Sequence, residues 1–329
     1  MESKQLITID QSNCLKGIFA ISILIHHIFQ LTTIDNGTII SIVMHYLGFL
    51  GIALFFFLTG YGLYTSLRQK PDYISNFPKK RLLPFYCQVI FFMLVYILLN
   101  LIKHGGFDLW KILTTLTVGS SLIGFGWFFQ DIFVVYLLFY LTFRFIKNRK
   151  AAFLTFTALI VVFSVVCQIL NIRQINRQFT LPVALGMLFC HYEDKIADFL
   201  KNSKHYWFLV LSLLALFCLN FIPFAKIPLL FIVQFVLYVI SSSAFCLIIV
   251  LLIQKVRITF AVTRFLGKYF LEIYAFQSVV FNICAGLKPV NELLYIIVMI
   301  IGTVLLAVVV HPVVKGINTL VKGEKIWKK

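Results

Sequence analysis

Two adjacent histidines, His26 and His27, stand in the stretch KGIFAISILIHHIF, residues 16–29, whose other side chains are almost all apolar. An imidazole moved into hydrocarbon gives up hydrogen bonds that lipid cannot replace, so it persists there only when partnered or used. Lys16 lies eleven residues before His27. In a helix that spacing brings the two within about 20° of one face and about 16 Å apart along the axis. Lys16, Ala20, Ile23 and His27 therefore form one stripe. It runs from a cation near the cytoplasmic boundary to an imidazole in the outer half, too far apart to touch but able to line one buried path. His26 projects about a quarter-turn away.

Two further residues reach a similar depth. His45 falls about six residues into a descending second span and Asp131 about four residues into a descending fourth, which puts both near the level of His27. A carboxylate beside an imidazole orients it and raises its basicity, the arrangement expected of a general base. The bland alternatives are an interhelical hydrogen bond for a buried histidine and a snorkelling anchor for Lys16. His26, His27, His45 and Asp131 would also supply enough ligands for zinc. Neighbouring positions on a helix diverge by about 100°, however, whereas helical metal pairs converge from positions three or four apart, so no metal site is expected. Glu272, in LGKYFLEIYAFQ, is expected in the inner half, paired with a Lys or Arg. Gln277 and Asn282 continue the inward-facing polarity of that helix.

The second span ends FFFLTGYGLYTS, in which Gly60 and Gly62 permit close backbone approach and Thr59 offers a hydroxyl. After it comes RQKPDYISNFPKKRLLPFY, with Arg68, Lys70, Lys79, Lys80 and Arg81 clustered ahead of Pro84. Such a cluster either sets topology or docks a phosphate-rich ligand from the cytoplasm.

The elements that must carry these residues follow from composition. The 329 residues are 61% hydrophobic and 12% charged, with mean hydropathy +0.97, far more apolar than a soluble domain of that length. Runs such as LGFLGIALFFFLTGYGLY are long enough for spanning helices, and no alternation of period two supports a barrel. Breaks at charged or Gly/Pro-containing stretches predict about ten transmembrane helices, near 14–32, 39–66, 82–102, 127–146, 151–170, 178–192, 206–222, 228–253, 266–286 and 290–314. The sixth is short. The Thr/Ser/Gly-rich segment 107–126 reads as an outer or re-entrant loop rather than a span.

With both termini cytoplasmic, only Lys103, Lys111, Arg173, Arg177, Lys226 and Lys288 of the 29 basic residues fall outside. The net charge of +17 is then explained by topology and anionic lipid headgroups, with no need for nucleic acid. No cleavable leader is expected ahead of the first span. The seven cysteines are scattered singly, which predicts neither disulfides nor a metal centre. No repeat, low-complexity linker or soluble domain interrupts the chain, so residues 1–329 read as one all-α polytopic membrane domain.

These residues resemble the membrane-bound acyltransferase-3 family, which acylates cell-surface carbohydrates and related acceptors. Lys16 and His27 match its basic residue followed eleven positions later by histidine, and FFFLTGYGL is similar to its second-span signature. WFFQDIFVVYLLFY and LGKYFLEIYAFQ resemble two further segments. The chain departs from the family where Pro78 and Arg81 stand at an Arg-x-x-Arg motif, where Asn13 replaces a frequent Asp, and where Gln277 replaces a frequent His. Proton transfer is therefore not expected of position 277.

The resemblance implies acyl-CoA, acetyl-CoA first, as a donor substrate, with no tightly bound cofactor. Its phosphates would meet Lys16, Arg81, Lys80 and Lys79. It implies a glycan or lipid-linked sugar as acceptor, deprotonated by His27 as general base or acylated through it, with His26, His45 and Asp131 in support, in a bacterial plasma membrane. The competing reading is a non-enzymatic transporter or flippase of a polar lipid or sugar, since buried charge also marks substrate paths. A membrane sensor or scaffold would tolerate loss of both histidines.

Overall fold

A long apolar run that enters a bilayer must satisfy its backbone polar groups within itself, and the helix does so locally. The computed structural model describes residues 5–32, 39–106, 108–115, 122–170, 180–218, 231–287 and 291–323, and among them no strand occurs. In chain order the helices begin with α1 (Ile9–Leu31), α2 (Ile39–Gln69) and α3 (Tyr73–Phe77). A π-helical turn, Pro78–Leu82, leads into α4 (Leu83–His104), and α5 (Leu109–Thr114), α6 (Trp127–Phe145) and α7 (Arg149–Ile169) follow. Then come α8 (Pro182–His191), α9 (Glu193–Leu200), α10 (Ser203–Cys218) and α11 (Phe231–Leu252). The last are α12 (Ala261–Lys268), α13 (Phe270–Cys284) and α14 (Glu292–Lys322).

Eight helices among the described residues are long and apolar enough to cross a membrane, with Tyr73–His104 counting as one continuous run. The expected sixth and seventh spans are the shorter apolar helices α8 and α10. The protein is an all-α polytopic membrane protein. Segment 107–126 carries α5 and then the turn residues 122–126; positions 107 and 116–121 lie outside the described residues.

Helix ends follow local chemistry. At the start of α1, the Gln11 side chain accepts from Thr8 N at 2.9 Å while Thr8 Oγ1 accepts from Gln11 N at 3.2 Å, a reciprocal cap. Asn291 caps α14 by accepting from Leu294 N, and that helix stops at Gly323, whose φ of +70° suits glycine.

The chain divides into two compact units. The first comprises residues 1–19, 49–70 and 176–267, the second 20–48, 71–175 and 268–329. In the first, small residues set helix spacing: a Cβ on Gly60 would come 1.9 Å from Val183 O, and one on Gly186 would come 2.0 Å from Phe57 O, so α2 and α8 touch backbone to backbone. Likewise Gly17 lies against Thr263 O and Gly267 against Asn13 O. Buried Glu193 accepts from the Tyr61 hydroxyl and from Leu6 N. Arg68 donates to Cys190 O at 2.8 Å and pairs with Asp194 at 3.8 Å.

The second unit is built around rings. Phe92 meets Phe276 edge-on at 5.2 Å and Phe129 at 5.6 Å, while Phe77 and Phe85 pack on Tyr136. Helix α13 packs along α14 and α4. Between α13 and α14, Glu272 pairs with His311 Nδ1 at 2.7 Å. The expected Lys or Arg partner is thus replaced by a histidine on α14, immediately before Pro312.

Candidate active site

His27 is 7% exposed, and its ring is fixed from two directions within the second unit. Its Nδ1 lies 2.9 Å from Gln277 Oε1. Gln277 is buried on α13, and its own amide nitrogen donates to Tyr274 O at 3.1 Å. With the amide nitrogen so committed, Oε1 is the acceptor, and the hydrogen it accepts sits on His27 Nδ1. In the neutral ring Nε2 then carries the lone pair, the form a general base requires. Among the described residues no other hydrogen bond reaches this ring.

The second constraint is aromatic. Phe125 stacks on the imidazole with centroids 3.7 Å apart and planes 9° from parallel. Its carbonyl accepts from the Tyr274 hydroxyl at 2.7 Å. Tyr274 and Gln277, three residues apart on α13, share one face of that helix. Tyr96 donates to Ala275 O at 2.8 Å, tying α4 to the same stretch.

His26 is turned elsewhere. Gln30 donates to its Nε2 at 3.0 Å, and the ring lies against α2 at Gly48, where a Cβ would come 2.3 Å from its Cγ. Asp131 is fully buried on α6, the helix whose Phe128 and Phe129 rings pack against Tyr274 at 5.0 and 5.6 Å. The position expected of a carboxylate, on His27 Nδ1, is held by an amide. His45 lies on α2 with its side chain outside the described residues.

The basic candidates fall in two places. Lys79, Lys80 and Arg81 occupy the exposed π turn of the second unit, a local widening of the helix common at functional positions. Lys79 Nζ lies 3.6 Å from where a Cβ on Gly323 would stand, at the carbonyl end of α14, where a cation is favoured. Arg81 lies beside Tyr73 and Tyr136. Lys16, half-buried, is on the part of α1 that belongs to the first unit.

Sequence reasoning noted the inward polarity of Gln277 but not its use, and it passed over Phe125, Tyr274 and His311. The spacing of Tyr274 and Gln277 was the available signal for the first group. Phe125 offers none, because its segment is apolar and glycine-rich.

Residues 9–311 match a family model described as an acyltransferase domain, that of the acyltransferase-3 family. No curated protein and no solved structure matches the chain.

Proposed function

The chain belongs to the membrane acyltransferase-3 family, and from that premise we propose that it moves an acyl group, acetyl first, from cytoplasmic acyl-CoA to a carbohydrate hydroxyl. The acceptor is a cell-surface or lipid-linked sugar and the site of action a bacterial plasma membrane. The observation that carries this reading is the buried contact of 2.9 Å between His27 Nδ1 and Gln277 Oε1, which supports a ring with its hydrogen on Nδ1 and Nε2 as the base.

The chemistry balances on that one nitrogen. As Nε2 takes the proton of the acceptor hydroxyl, the oxygen attacks the thioester carbonyl and a C–O bond forms. The tetrahedral adduct then expels CoA thiolate as the C–S bond breaks, and the imidazolium returns the proton to sulfur. The hydrogen bond to Gln277 keeps the ring in register through both transfers. In the variant with His27 as acyl carrier, Nε2 attacks the thioester itself and the sugar oxygen displaces the acyl-imidazole in a second step.

Cationic side chains at the π turn, Lys79, Lys80 and Arg81, suit the phosphates of the donor. Lys16 is proposed as a separate cationic contact for it. His26, Asp131 and His45 remain proposed supports rather than bases. For His26 the packing against Gly48 favours a structural role.

The test is transfer by purified, reconstituted protein supplied with radiolabelled acetyl-CoA and an envelope glycan extract. His27→Ala is expected to lose about 10²-fold or more of the rate, with His26→Ala keeping most of it at matched folding. Absence of transfer by the wild type across several donors and acceptors, or full activity in His27→Ala, would overturn the reading in favour of transport.

A further inference from the structure

A base able to activate a sugar hydroxyl activates water equally well, so an acyltransferase must keep water from its imidazole or waste the thioester. Phe125 lies against one face of that imidazole. A ring stacked at 3.7 Å leaves no room for a molecule between it and the imidazole, so one face of His27 is closed.

The backbone beneath that ring is the unusual part. Phe125 has φ +57°, and no other non-glycine residue among those described has a positive φ. A bulky aromatic there is strained and persists only when its surroundings hold it. The hold is visible in the Tyr274 hydroxyl, which clasps the Phe125 carbonyl. Gly124 lets the turn close onto α13, since a Cβ there would come 2.3 Å from Ser278 Oγ. Phe281 meets the Phe125 ring edge-on at 6.4 Å. Strain, clasp and close approach together keep one ring on one imidazole, and ordinary packing of a half-buried turn residue requires none of them.

We propose that Phe125 is a specificity-determining residue of the transfer, a cover latched by Tyr274 that closes one face of His27 to water and directs the acceptor hydroxyl to Nε2. The proposal rests on the acyltransferase reading above. Without the cover, water adds to the thioester carbonyl, the C–S bond breaks, and Nε2 carries the proton from water to the departing thiolate, releasing free acid and CoA.

The full chain carries the test. Phe125→Asn and Phe125→Gly remove the ring with residues that tolerate positive φ, Phe125→Tyr keeps it, and Tyr274→Phe releases the latch. Two quantities are measured in each: the rate at which diethyl pyrocarbonate modifies His27 without donor, read by peptide fragmentation, and the ratio of acetyl-CoA hydrolysis to transfer. The ring-less variants are expected to raise both by about tenfold, Tyr274→Phe by less, and Phe125→Tyr to stay within about twofold of wild type. Unchanged modification of His27 in ring-less variants that unfold at the wild-type temperature would overturn the cover, as would an unchanged ratio. The modification measurement needs no acyl donor, so a wild type without transfer activity would sink the acyltransferase reading while the cover is still decided.

Discussion

At the scale of single residues, the candidate site turns on an amide where a carboxylate was expected. A carboxylate on Nδ1 would bring a full charge into an apolar bundle, at the cost of desolvating it. Gln277 supplies the same acceptor geometry without charge, and its nitrogen is anchored on Tyr274 O. It is a positioning residue under the proposed mechanism. Gln277→Leu is expected to lower kcat about 10–100-fold with the KM for acyl-CoA little changed, because orientation is lost rather than donor binding. Gln277→Glu, which keeps an acceptor on Nδ1–H but loses the donor to Tyr274 O, is expected to lose less activity than Gln277→Leu. A purely structural role predicts equal damage from both. The rate of the wild type should also rise with pH through one ionisation, since only the unprotonated imidazole can accept the proton, and that limb should vanish in His27→Ala.

At the scale of elements, two glycines two residues apart on α2 have opposite surroundings. Gly60 faces Val183 O at 1.9 Å from its would-be Cβ, whereas nothing lies within 4 Å of a Cβ on Gly62. Gly60→Ala must therefore push α2 and α8 apart, at an expected cost of about 1–3 kcal/mol. Gly62→Ala should be neutral or stabilising by up to about 1 kcal/mol, from helix propensity and a less disordered unfolded chain. Thermal unfolding in detergent separates the two, and equal shifts would show that α2 and α8 are not in contact. The pair Glu272 and His311 makes a related point about α13 and α14, where removing His311 would leave the buried Glu272 carboxyl without that partner.

At the scale of the whole molecule, the arrangement of basic residues predicts that the two chain ends share one side of the membrane. Short epitope tags at either terminus of protein in intact cells should be shielded from external protease and become labelled only when the cytoplasmic side is opened. A tag between Lys103 and Lys111, in contrast, should be reached from outside. Opposite sides for the two ends would mean an odd number of crossings and would reverse the assigned depth of every residue beyond the miscounted span.

The existence of the helices was legible without coordinates because the need to bury about 20 apolar residues with all backbone groups paired is a property of a continuous stretch of chain. The segments near 14–32, 39–66, 82–102 and 127–146 fall on α1, α2, the Tyr73–His104 run and α6. The Lys16 and His27 spacing was equally legible, since it depends on helical pitch alone. Which side chains meet was not, because it depends on how each helix is rotated about its axis, and that is decided by packing between residues far apart in sequence. Gln277 lies 250 positions from His27, and Glu272 lies 39 from His311. Phe125 sits in a segment with no periodicity to read, and its place over the imidazole comes from a hydroxyl on α13 that holds a strained turn. Chemistry of type and spacing could nominate His27 from the sequence; only tertiary packing could assign its partner, its tautomer and its cover.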